Sequence, residues 1–386
     1  MYLAISGNLK NLRYKKMEIK KSLYDISWQC DEPTYRADPA LSYSTLAKYE
    51  REGRFNSLPK LFERISTPSL TFGSLVDCMV TGTAQDFAEQ FLVAEFPKLS
   101  DSLTLIANTL FAKYGKVVEG EDNPFDDAQF YGSIEEMPDT IISAVAKQCD
   151  FWANDKWDNV RAKKVKEGGI GEYYKLLILA DGKEVVSQQD VDDAYACVEA
   201  LRTSDNTAFY FANNNTEVDG IERLYQLKFK GKDPDKGTQF RCMADEVAVN
   251  YNDKTIQPID LKTSSHKEWE FYKSFVDWSY MIQARLYWRL IKQNVEKDEF
   301  FKDFTVLPYK FIVVNRVTRQ PQVWDFPLTQ AEGLIKLETV RNGIYLWRDP
   351  YVIGEELAYY LSNPEVKVPR EMSKSNNIVE YLTKRI

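Results

Sequence analysis

From Glu217 to Lys262 the apolar residues fall in short extended runs separated by turn formers. Glu217 to Phe229 is the first run, and the stretch GKDPDKG at 231–237 has the glycine, proline and aspartate of a hairpin turn. Met243 to Asn250 alternates, with Val247 and Val249 on one side, and Asn252-Asp253-Lys254 turns the chain into a further run, Thr255 to Lys262. Three strands in meander order are predicted. A helix follows, on which Tyr280, Gln283 and Tyr287 share one face. Lys310 to Asn315 is another strand, residues 319–322 are a turn, and Val323 to Phe326 pairs back. Thr329 to Tyr345 reads as a helix burying Leu334, Leu337 and Ile344.

Upstream, the periodicity changes. Leu41-Ser42-Tyr43-Ser44 precedes a short helix, Thr45 to Tyr49, with Ser42 or Ser44 as its cap. Phe72 to Val80 is helical, and Thr81 to Asn206 is mainly helical, with Ile141, Val145, Phe151, Trp152 and Trp157 as core. Ser187 to Leu201 is amphipathic, with Val191, Ala194, Cys197, Val198 and Leu201 along one side. The stretch EGEDNPFDD at 119–127 is a solvated acidic loop. The glycines at 168–171 make a turn without the G-x-G-x-x-G spacing of a phosphate cradle.

The predicted hairpin has a chemical consequence. Asp245 and Asp260 lie on neighbouring strands and can approach each other. Two close carboxylates repel unless a cation sits between them. Oxygen ligands without His or Cys favour Mg²⁺ or Mn²⁺. Lys262, two residues after Asp260, emerges on the same strand face. An ammonium there can orient an attacking water and stabilise charge building on a phosphate.

Met243-Ala244-Asp245, Ile259-Asp260-Leu261-Lys262-Thr263 and Gln283-x-x-x-Tyr287 together resemble the PD-(D/E)XK nuclease superfamily, and most closely its RecB-like and phage-type branch, the exonuclease VIII (RecE-like) family. The resemblance implies that Asp245 and Asp260 bind metal, that Leu261 lends its carbonyl and that Lys262 positions the water. Gln283 and Tyr287, with Tyr280 on the same face, would contact DNA or the catalytic groups. Related nucleases often carry a Glu where Glu222 stands, making it a third carboxylate. A family element of the form G-x-x-x-His maps onto Gly73 and Asp77, so that an aspartate replaces the histidine as a candidate oxygen ligand. The implied activity is Mg²⁺- or Mn²⁺-dependent hydrolysis of DNA from 5′ duplex ends in phage-type recombination or repair. A single-strand annealing protein as partner and assembly into ring homo-oligomers are implied with it. Two rival readings stand: a restriction or defence endonuclease, and a catalytically silent nucleic-acid-binding protein that kept the fold.

The expected fold is α/β or α+β, a mixed β-sheet core flanked by helices with a helical insertion. A length of 386 residues allows two or three domains at roughly 150 residues each. The expected arrangement is an N-terminal extension over 1–40, a nuclease-like domain over 41–350 with the insertion at about 100–206, and a C-terminal tail over 351–386. A hydrophobic content of 44% is ample for a large core. The formal charge of −8 is not that of a protein that coats DNA, so any DNA contact must be local. Candidate basic patches are 161–166, taken as a solvated face, 228–232, and 262–273. Five scattered cysteines without a C-x-x-C point to free thiols in a reducing compartment, and their spacing argues against a four-Cys iron–sulfur cluster. One histidine, His266, cannot build a His-based zinc site and is read as a surface residue. There is no Walker-type phosphate loop. With no apolar run of membrane-spanning length and no secretory leader, a cytoplasmic protein is expected.

Overall fold

The computed structural model describes residues 21–51, 58, 61–62, 67–115, 130–327 and 348–366. The acidic loop at 119–127, the helix expected at 329–345, the stretch before Met17 and most of the tail beyond Ser362 lie outside these residues. Contacts divide the chain into two compact units. One joins the residues up to Thr67 with those from Tyr195 onward, and the other is Pro68–Ala194. The insertion therefore begins and ends earlier than the sequence pattern suggests.

The first unit is built on a mixed sheet. Its strands are β1 (Ile221–Lys232), β2 (Gln239–Asn250), β3 (Thr255–Ser264), β4 (Thr305–Val306), β5 (Tyr309–Asn315) and β6 (Pro321–Phe326). The order is β1-β2-β3-β5-β6, with β4 pairing the start of β3. β1, β2 and β3 form the expected antiparallel meander, β5 runs parallel to β3, and β6 returns antiparallel. Lys254 takes φ +52 in the turn between β2 and β3, a left-handed residue of the kind tight hairpins need.

Four helices cover the sheet or one another: α1 (Tyr43–Arg51), α2 (Phe271–Asp277), α3 (Tyr280–Val295) and α4 (Pro350–Ser362). α3 lies on β1, β2 and β5, while α1 and α4 pack on α3 and on each other. Their shared core includes Leu46, Tyr49, Phe229, Phe240, Val247, Leu286, Ile353 and Leu357. Segments expected to be extension and tail therefore belong to the core. Leu23 is fully buried, and Ile353, Leu357 and Tyr360 of α4 are buried with it.

Asp349 caps α4 and clamps α3 to it. Its side chain accepts the Tyr351 N–H and pairs with Arg285 and Arg289, both at 2.7 Å. Burial alone would push this carboxyl up, but the Arg289 hydrogen bond and the two guanidinium charges hold it below the usual carboxylate range. A lowered folded-state value contributes stability above the unfolded value of about 3.9, and that stability is lost as the pH falls through the folded value. Asp349→Asn is accordingly expected to lower stability at neutral pH and to flatten its fall below about pH 4. Urea titrations from pH 7 to pH 3 check this, and parallel wild-type and variant curves would rule it out.

The second unit has its own core. Ile106, Leu110, Ile134, Val145, Val165 and Tyr174 pack between the helices Asp101–Tyr114, Asp139–Gln148, Asp158–Glu167 and Ile170–Ala180. Phe91–Val93 and Glu184–Val186 form a short parallel pair. Trp152 and Trp157, expected in the core, lie at the surface against each other, with ring centroids 4.9 Å apart. Arg161 departs from the expected solvated basic face: it is buried and donates to the Trp152 and Asn154 carbonyls. Among the described residues no helix is long and apolar enough to cross a membrane.

Candidate active site

The site forms where two strands part. The β2–β3 ladder runs from Asn250↔Thr255 to Glu246↔Ile259 and then stops. β3 continues alone with β5, placing Asp260 opposite Phe311 and Lys262 opposite Val313. At the parting point Asp245 Oδ2 accepts the Leu261 N–H at 2.9 Å, so a carboxylate substitutes for the missing strand partner. The β1–β2 ladder is irregular at the same rung. It pairs Tyr225↔Glu246 and Leu227↔Ala244, and between them Gln226 takes φ +51. The core-facing residues of β2 change phase there, from Phe240, Cys242 and Ala244 to Val247 and Val249. A regular strand keeps one phase throughout. The break costs about 1–3 kcal/mol for a left-handed non-glycine residue, and it lets Asp245 turn toward β3.

Asp260 is fully buried. Its Oδ1 accepts a hydrogen bond from Gln283 Nε2, and its Oδ2 lies 2.6 Å from Lys262 Nζ. The ammonium also sits over the Tyr280 ring, 4.8 Å from its centroid. Burial pushes the Asp260 carboxyl up, and Lys262, Asp245 and Gln283 pull it only part of the way back. Burial would lower the Lys262 ammonium, but the Asp260 charge, with Tyr280 and Asp245, outweighs it and raises the group. One lysine thus faces two carboxyl groups.

Four tyrosines wall this pair. Tyr43 meets Tyr287 edge-on at 6.5 Å and Tyr280 at 6.4 Å. Tyr309 meets Tyr287 at 6.3 Å. Gln283 and Tyr287 are buried, so Gln283 serves Asp260 and Tyr287 packs in the core; neither offers a surface for DNA. Tyr280 is partly buried between the lysine and Phe271.

The structure does not bring Glu222 to the pair. Its register partner is Val249, four positions along β2 from Asp245, and its carboxylate accepts from Ser22 Oγ at 2.7 Å and Tyr251 Oη at 2.6 Å. The reason is the register: four strand residues span about 13 Å. Asp77 belongs to the second unit, on the helix Pro68–Thr81, where its backbone carbonyl accepts the Thr81 hydroxyl at 2.9 Å. Among the described residues no group of three or more His, Cys, Asp or Glu side chains could hold a metal ion. Two carboxylates and the Leu261 carbonyl are nonetheless a donor set suited to Mg²⁺, which keeps several waters and takes only one or two protein carboxylates. They do not suit Zn²⁺, which takes nitrogen and sulfur ligands at closed sites.

Sequence reasoning missed Tyr43, Tyr309, Gln226 and Glu246. Tyr43 was visible only as part of a helix start, and Tyr309 carried no signal. Glu246, next to Asp245, is buried with no hydrogen-bond partner for either carboxylate oxygen among the described residues. Burial raises it well above the usual carboxylate range, against the charge of Arg223. Compared with models of known protein families and with curated proteins, the chain matches none.

Proposed function

We propose that this chain is a metal-dependent deoxyribonuclease that hydrolyses phosphodiester bonds at duplex DNA ends. The observation that carries the reading is the Asp260–Lys262 pair, 2.6 Å apart at the parting of β2 and β3, with Asp245 beside it on the Leu261 N–H. The motif resemblance to the exonuclease VIII family supports the same reading, and with it come 5′-end processing, an annealing-protein partner and ring assembly as further parts of the proposal. Asp245, Asp260 and the Leu261 carbonyl would hold Mg²⁺ or Mn²⁺. Such an ion supplies positive charge against the phosphate and makes a nucleophile available at neutral pH. Gln283 fixes the orientation of Asp260 by holding Oδ1. The Lys262 ammonium, restrained over the Tyr280 ring, donates to the attacking water and stabilises charge building on the phosphate oxygens. Glu222, held opposite Val249 by the β1–β2 register, takes no part in this mechanism.

Purified protein incubated with end-labelled linear duplex should release label in Mg²⁺ and not in EDTA, and should leave closed circular DNA intact. Cleavage of the closed circle would favour the endonuclease reading. No cleavage in either Mg²⁺ or Mn²⁺ would leave only the catalytically silent one.

A further inference from the structure

The chain between Lys262 and α3 is aromatic on both sides. A single turn, Glu268–Glu270, runs into α2. Inward, Phe271 is buried and its ring meets Phe311 at 6.1 Å and Tyr280 at 6.1 Å, while Phe275 meets Phe311 and Phe326. Outward, where a surface helix ordinarily shows polar side chains, Trp269 is 66% exposed, Tyr272 60% and Trp278 41%. Two of these rings carry a cation. Lys267 Nζ lies 5.5 Å from the Trp269 centroid, and the Arg51 guanidinium lies 4.7 Å from that of Trp278. The segment is tied at both ends: the His266 carbonyl accepts from Asn315 Nδ2 at 2.6 Å, and the Trp278 carbonyl accepts from Tyr43 Oη at 2.7 Å.

We propose that Trp269, Tyr272 and Trp278 form a stacking platform for unpaired bases, on which a single nucleic-acid strand lies as it meets the Asp260–Lys262 pair. In naming the pair as the strand's destination, the proposal rests on the nuclease reading. Three features select an unpaired strand. The flat faces of bases are free to stack only outside a duplex, and aromatic platforms bind single strands in this way without sequence preference. The cations beside the rings suit phosphates that follow stacked bases. The segment also links the strand that carries Asp260 and Lys262 to the helix that carries Gln283. A duplex-coating surface would instead need many free cations. Here Lys273 is already paired with Glu270 at 2.5 Å, and Glu268 and Asp277 lie on the same segment.

The test is fluorescence anisotropy of labelled oligothymidylate with the full chain in EDTA, against a blunt hairpin duplex. Expected is preference for the single strand, with a shallow salt slope near −1.4, corresponding to about two neutralised phosphates. Trp269→Ala with Tyr272→Ala should weaken binding by at least about tenfold. Trp269→Phe should keep most of the affinity, and the urea midpoint should stay unchanged. Equal single-strand affinity in the double variant would overturn the proposal. So would a wild-type dimer that the same variant dissociates, since the rings would then cover a second copy of the chain. If these binding results appear but Mg²⁺ yields no cleavage, the platform stands and the nuclease reading fails. If duplex is cleaved while binding ignores the rings, the platform alone fails.

Discussion

Asp260→Asn is expected to reduce Mg²⁺-dependent cleavage of linear duplex by at least about 10³-fold, the loss that follows when an ion providing several kcal/mol of charge stabilisation is no longer held. The substitution preserves shape, and the asparagine carbonyl can still accept from Gln283. What disappears is the negative charge between Asp245 and Lys262, so Mn²⁺ binding followed by calorimetry should weaken in step with activity. Stability is expected to fall as well, since the buried ammonium loses its main partner, with Asp245 and the Tyr280 ring left beside it to offset part of the loss. A variant that cleaves at the wild-type rate would remove Asp260 from the site.

The second large effect concerns stability and is independent of activity. Lys262→Met leaves the fully buried Asp260 carboxylate without the ammonium now 2.6 Å away. Removing one member of a buried pair costs about 3–5 kcal/mol, mostly through the charge left behind. In EDTA the urea midpoint should fall accordingly. Mn²⁺ at about a hundred times its dissociation constant should restore about 2.7 kcal/mol. The restoration should exceed any shift in the wild type, where the ion must first displace the lysine. If Mn²⁺ moves neither midpoint, the two carboxylates are not a metal site, whatever the DNA assays show.

The parts of this site that the sequence made legible are those set by local chemistry. The turn at 252–254 fixes the β2–β3 hairpin, two-residue spacing puts Asp260 and Lys262 on one face, and helical spacing brings Gln283 to Asp260. The parts it hid depend on events far along the chain. The resemblance makes Glu222 a third acid, but the β1–β2 register sets it opposite Val249. Nothing in the sequence marks Gln226 as left-handed, yet that residue accompanies the phase change that turns Asp245 inward. Leu23 sits among polar neighbours and read as extension, and α4 read as tail, because their burial depends on strands and helices hundreds of residues away.

That separation has a consequence for how the protein is made. The Tyr43 hydroxyl and the Trp278 carbonyl that accepts it are 235 residues apart, and Pro68–Ala194 intervenes with a core of its own. At about 5–20 residues per second, a ribosome takes about 10–50 s to cover that distance. During this interval the intervening unit can fold, while Leu46 and Tyr49 wait for partners not yet synthesised. The core shared by α1, α3 and α4 closes only after Ile353 and Leu357 have emerged. A chain stalled after Phe326 would therefore carry Asp245, Asp260, Lys262 and Gln283 and still lack α4, the helix that packs on α1 and α3.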